Sequence, residues 1–200
     1  MTPGDLRNPH GTGHVIDTVR ALMRTGGLGV SLAAVARASG TSRGFLYANW
    51  KSASALHVRA LRAELGQVFD AARRTRPSDG TVPGIVSHLT EAVRLVRRHP
   101  TTAAVARTDP AALLSSHTAL DGPVLRTAAG LIGDLLHPLA PHGGVWSDPR
   151  LDSRPWKLLW IARPAALCPG AVGDPAREEA LDGLFGELAL DLLAPWADRE

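Results

Sequence analysis

The chain has 200 residues, 44% apolar and 20% charged, with 20 Gly, 15 Pro and a single Cys. A chain of this length buries roughly 70% of its unfolded surface without staples, and the lone Cys168 excludes an intramolecular disulfide. The apolar fraction and the net charge of +3 exclude a disordered chain. No apolar run, Leu158–Ala162 included, approaches the ~18 residues of a membrane span. The polar, Gly- and Pro-rich stretch Met1–His14 lacks the apolar core of a signal peptide. A cytoplasmic protein with no membrane partner is expected. The charge is unevenly spread. Residues 1–76 carry 11 Lys and Arg against four Asp and Glu, a balance of +7, whereas 77–200 carry 11 against 15, a balance of −4. A basic head on a mildly acidic body points to a polyanion met by the head alone. The competing reading is solvated helix faces in an Arg-rich sequence.

Helical periodicity runs along the whole chain. Val15, Ile16, Val19, Leu22 and Met23 form one amphipathic stripe, stopped at Gly26-Gly27 and Gly29. Ser31 is placed to cap a short second helix with Leu32, Val35 and Ala36 inward, broken at Gly40. Ser42 caps a third helix from Arg43 to about Asn49. Ser52 caps a fourth, reaching Arg76 on the stripe Leu61, Leu65, Val68, Phe69 and Ala72. Further helices follow at Ile85–Val96, ending before Pro100, at Thr101–Arg107, at Pro110–Leu120 and at Val124–His137. His137–Asp152 reads as irregular. Ser153 is expected to cap a helix carrying Trp156, Leu159 and Trp160, kinked near Pro164. The last helix opens on Asp174-Pro175, buries Leu181, Leu184, Phe185, Leu188 and Leu192, and stops at Pro195. No strand alternation occurs. The expectation is an all-α fold of about nine helices.

The segment 31–50 carries the chemistry. A helix of about eight residues, the turn Gly40-Thr41-Ser42 and a helix of about seven residues make helix-turn-helix spacing, in which the second helix enters the major groove. Leu32, Val35 and Ala36 face Leu46 and Trp50, leaving Arg43, Gly44, Phe45, Tyr47 and Ala48 directed away from the core. Hydroxyls, backbone amides and basic side chains hold phosphates on either side. The competing reading is a three-helix packing unit that touches no DNA.

Here the sequence resembles the tetracycline-repressor (TetR) family of transcription regulators. The resemblance lies in Val15–Leu22, Gly26-Gly27, Ser31–Ala36, Ala38–Gly44, Leu46-Tyr47, Trp50–Ser52 and Leu56, and covers roughly residues 12–60. It implies a homodimer, an N-terminal DNA-reading head (residues 1–52), and a helical body (53–200) that binds a small effector and releases DNA. The DNA-contacting set is then Ser31, Thr41, Ser42, Arg43, Gly44, Phe45, Tyr47, Ala48, Asn49 and Lys51. The sequence departs from the family pattern in four places. Phe45 stands where Thr is common, Ala48-Asn49 where bulkier polar residues are usual, Trp50 where Phe is usual, and Ala53 where a Lys opens the fourth helix. Lys51 is placed to supply the lost phosphate charge. Arg43 suits guanine O6 and N7, Phe45 a thymine methyl, and Tyr47 a phosphate.

The remaining constellations are sparse. His10 and His14 are the one i, i+4 pair among the eight His, they lie in the Gly- and Pro-rich N-terminal stretch, and Cys168 has no companion, so neither a metal nor a cofactor is expected. Ser115-Ser116-His117 lacks a nucleophile elbow or a P-loop around it. His88, His117, Trp156 and Trp160 are the candidate lining of an effector pocket for an apolar or aromatic compound. Two-faced apolar patterns on the last two helices point to an isologous four-helix dimer interface. Sequence alone does not separate a repressor from an activator. The rival class is an all-α ligand-binding protein or enzyme, with the helix-turn-helix as a packing unit; duplex DNA binding with a steep salt dependence separates the two.

Overall fold

A computed structural model describes residues 11–113, 122–139 and 153–196, which form helices with no strand among them. The described α-helices number nine: α1 (Gly11–Gly26), α2 (Leu32–Ser39), α3 (Arg43–Asn49), α4 (Ala53–Thr75), α5 (Val82–Arg97), α6 (Pro100–Thr108), α7 (Pro123–Leu136), α8 (Arg154–Ala166) and α9 (Pro175–Leu193). Residues 110–113 are helical as well; the rest of the helix expected to Leu120, most of the stretch 137–152, His117 and Trp146 lie outside the described residues. Among the described residues no helix is long and apolar enough to cross a membrane.

The described residues divide into two compact units, 11–64 with 100–113, and 65–99 with 122–139 and 153–196. The first unit thus takes in the opening turns of α4 and all of α6, a grouping that a boundary at residue 52 does not anticipate. Its core is Val15, Val19, Met23, Val30, Val35, Leu46, Leu56 and Ala60. Between α1 and α2 the 3-10 turn Gly27–Gly29 passes close to α6. Gly27 sits at φ +58°, and a Cβ there would strike the Thr108 side chain and approach the Ala104 carbonyl oxygen at 3.3 Å. The helix stop read from Gly26-Gly27 is therefore also a packing contact, made by the small residues of α6.

Charge ties α1 to α4. The buried Arg20 donates to Asp17 (2.9 Å) and to Glu64 (3.2 Å), and Arg24 lies 3.5 Å from Glu64. Burial alone would lower the Arg20 pKa, but the hydrogen bonds and charges of Glu64 and Asp17 outweigh it and hold the group above its ordinary value. The buried His57 donates from Nε2 to the Val30 carbonyl (2.8 Å), pinning the chain between the 3-10 turn and α2 to α4.

The second unit packs the C-terminal part of α4 with α5, α7, α8 and α9 around Ile85, Leu89, Val93, Ile132, Leu136, Leu158, Phe185 and Ala189. Its buried polar content is an ion network between α5 and α9. Arg97, fully buried, donates to Asp182 (2.6 Å) and to the Ala165 carbonyl of α8 (3.0 Å). Arg94 grips the other Asp182 oxygen with Nε and Nη2 (2.9 and 2.7 Å) and reaches Glu91 at 2.8 Å. Arg98 donates to Glu178 at 2.7 Å, which holds the Glu178 carboxyl below the usual carboxylate range.

Two expectations fail in this unit. On α9 the buried face is Glu178, Asp182, Phe185, Ala189 and Leu193. Leu184 and Leu188, expected inside, are 58% and 43% exposed, because α9 turns its acids rather than its leucines toward the arginines of α5. Ser153 occupies the N-cap of α8, yet its side chain makes no capping hydrogen bond; Pro155 in the first turn presets the helical φ instead. Pro164 lies within α8 without ending it.

Candidate nucleic-acid interface

The helix-turn-helix is built by caps. Ser31 Oγ accepts from the Ala34 amide (3.2 Å) and opens α2. Gly40 closes it at φ +65°, a left-handed conformation that glycine adopts without strain, with its amide on the Ala36 carbonyl. Ser42 Oγ accepts from the Phe45 amide (3.1 Å) and opens α3 two residues later. Leu46 is fully buried and anchors α3 on the head core. Trp50, in an extended conformation with its amide on the Leu46 carbonyl (2.8 Å), ends α3. Ser52 accepts from the Ala55 amide (3.1 Å) and starts α4.

With Leu46 inward, the exposed residues of α3 are Arg43, Gly44, Tyr47 (62% exposed), Ala48 and Asn49. Lys51 is exposed just beyond, as are Arg37 on α2 and Arg59 and Arg62 on α4. Glu64 offsets little of that charge around α3, since it is buried between Arg20 and Arg24. Most of the expected contact set is therefore gathered on one short segment, 31–51, with an exposed helix flanked by cations.

Five members of the set make contacts within the chain. Thr41 is buried, its hydroxyl 3.4 Å from the Ser39 carbonyl oxygen, so it faces the core rather than a phosphate. The hydroxyls of Ser31 and Ser42 already serve as caps. Phe45, expected to point away from the core, is half-buried against it and stacks edge-on to Trp50, with ring centroids 6.4 Å apart and planes at 64°. Asn49 donates its amide nitrogen to the Phe45 carbonyl (2.9 Å). The Phe45–Trp50 pair explains both departures from the family pattern together: Trp in place of Phe supplies the surface on which Phe in place of Thr rests.

The residues proposed for an effector have separate surroundings. His88 is buried on α5, donates from Nδ1 to the Arg76 carbonyl (3.1 Å) and lies 6.1 Å from the Phe69 ring. Desolvation, aided by the charge of Arg73 and opposed by the Arg76 carbonyl, pushes its pKa below the ordinary value. Trp156 packs at the edge of the second core. Trp160 is 38% exposed, with the Arg163 guanidinium 4.5 Å from its ring centroid; burial lowers the Arg163 pKa. Among the described residues no group of three or more His, Cys, Asp or Glu is placed to hold a metal ion. The links that sequence reasoning missed are Arg20–Glu64, His57–Val30 and the α5–α9 network. For the ion pairs the signal is charge at i, i+4 spacing on otherwise apolar helices, as in Arg20/Arg24 and Glu178/Asp182.

No family model and no curated protein matches the sequence. Among solved structures the chain is similar to the crystal structure of the TetR family repressor AlkX from Dietzia sp. strain DQ12-45-1b, implicated in biodegradation of n-alkanes. The similarity has a TM-score of 0.58 at 20% sequence identity and covers 90% of this chain and 94% of that one. The chain therefore has the all-α fold of a TetR family repressor.

Proposed function

We propose that the protein is a DNA-binding transcriptional regulator of the TetR type, a homodimeric repressor that a small molecule releases from a palindromic operator. The observation that carries this reading is α3. It is a capped, core-anchored helix whose exposed face bears Arg43 and Tyr47 and is followed by exposed Lys51, within a fold shared with a TetR family repressor. Residues 1–52 read the DNA and residues 53–200 dimerise and take the effector. Two heads present α3 to successive major grooves ~34–36 Å apart. Exposed Trp160 on α8 and Leu184, Leu188 and Leu190 on α9 supply an apolar surface for the second copy. An apolar or aromatic effector bound near His88, Trp156 and Trp160 switches the protein by its differential affinity for two head spacings.

The test is duplex binding across a salt series. Log affinity falls linearly with log salt, and Lys51→Ala weakens all sequences alike and reduces the slope by ~1. Binding that is absent, or independent of salt, would overturn the reading.

A further inference from the structure

The reading helix is short of hydrogen-bonding groups where it meets a base pair. The Ser42 hydroxyl caps the Phe45 amide, the Asn49 amide nitrogen is on the Phe45 carbonyl, Thr41 is buried, and the Phe45 ring rests on Trp50. At ~100° per residue from the buried Leu46, the positions opposite the core are Gly44 and Ala48, at about 160° and 200°. Both are exposed. A Cβ added at Gly44 would meet nothing nearer than Ser42 Oγ at 3.9 Å, so no neighbouring side chain covers the backbone there. The outermost strip of α3 is thus a bare backbone and one methyl. Arg43 and Tyr47 both lie on one flank of it, at ~60° and ~100°.

A strip of this kind cannot choose a base by donor and acceptor pattern. The apolar group on a major-groove edge is the thymine C5-methyl, and a helix without bulk at these two positions lets that methyl reach its surface. We propose that Ala48 is a specificity-determining residue that reads a thymine C5-methyl, with Gly44 giving the clearance for the approach, and that hydrogen-bonded base reading is confined to the Arg43 flank. This moves the apolar contact from Phe45, where the residue types alone had put it, to the small residues one helical turn apart. It rests on the DNA-reading function proposed above.

The experiment starts from duplexes that the wild-type protein selects out of a randomised pool. Each half-site thymine is then replaced in turn by deoxyuridine, which removes only the methyl. At one thymine or more the wild type loses about fourfold in affinity, the worth of one buried methyl. In Ala48→Gly the thymine-to-uracil ratio at that position falls toward one. Because the ratio is taken within one variant, a general loss of helix stability cancels. Ala48→Ser, which keeps a better helix former and sets a hydroxyl on the strip, lowers the same ratio and serves should the glycine variant not fold. Phe45→Ala leaves the ratio in place. Uracil tolerated at every half-site thymine of a selected duplex, or a thymine preference unchanged in both Ala48 variants, overturns the inference while DNA reading stands. Failure of the wild type to select any duplex overturns both.

Discussion

Replacing Asp182 by Ala removes the acceptor that holds two arginines of α5. Arg97 loses its 2.6 Å bond while fully buried, and keeps only the Ala165 carbonyl at 3.0 Å and a Glu178 oxygen at 3.7 Å. Arg94 loses both bonds to Asp182 but is partly solvated and retains Glu91. The cost is dominated by Arg97, a charge left in the interior with half its compensation gone, and breaking such a pair costs about 3–5 kcal/mol. Against a total of roughly 5–15 kcal/mol for a domain, that is a large fraction. Asp70→Ala, which removes the exposed partner of Arg73 on α4, is the internal control and costs ~1 kcal/mol or less. Taking both charges away, Arg97→Met with Asp182→Leu, costs less than Asp182→Ala alone, because no buried ion is left unpaired. Urea denaturation followed by far-UV circular dichroism reads these values. Protein concentration is held fixed, since the stability of the proposed dimer would depend on it. A loss for Asp182→Ala no larger than that for Asp70→Ala would refute the assignment of this network to the interior.

Gly27→Ala forces a left-handed residue to carry a Cβ, at about 1–2 kcal/mol, and pushes on Thr108 as well; adding Thr108→Ala restores the second part only, as thermal melts will show. His88 has a pKa below its ordinary 6.5, so the unfolded chain binds the proton first and stability is lost as pH falls through 6.5 toward the folded pKa. In His88→Gln that part of the acid slope disappears from urea midpoints measured between pH 7 and 5, and an unchanged slope would place the loss elsewhere. Leu188→Glu, at a position 43% exposed, raises the dimer dissociation constant at least ~10-fold, since a symmetric interface carries the change twice. Sedimentation equilibrium reads this against a wild type at twice the 21.1 kDa chain mass, and a wild type monomeric at micromolar concentration would end the argument.

The head was legible because its signals are local. Ser31, Gly40, Ser42 and Ser52 each fix a helix end through groups within three or four residues, and each does so in the structure. Spacing between caps then sets the angle at which Leu46 turns inward. What spacing could not supply is the partner of each residue. Thr41 looked like a phosphate ligand because a turn hydroxyl usually faces outward, yet it lies under the turn. Phe45 looked free because nothing within α3 itself covers it; the covering ring, Trp50, sits just past the helix end. The packing of α6 with the head was likewise invisible, since Gly27 reads as a helix stop whether or not another helix runs beneath it.

The body shows where the hydrophobic pattern misleads. The leucine stripe expected on α9 and the face that is buried differ by a rotation of ~80° at ~100° per residue. Leucines are the stronger apolar signal in that segment, and a periodicity argument must follow them. The rotation is decided instead by α5, where Arg94, Arg97 and Arg98 share a face at i, i+3, i+4 and cannot enter an apolar interior without counter-charges. Glu178 and Asp182, one turn apart, are the acids that α9 offers to them. Turning those acids inward leaves Leu184 and Leu188 in the open, where they are useful only to another surface. The charge network inside one chain and the apolar patch on its outside therefore have a single cause. A variant that neutralises the arginines of α5 should let α9 roll back toward its leucines and weaken the dimer without touching a residue at the proposed interface.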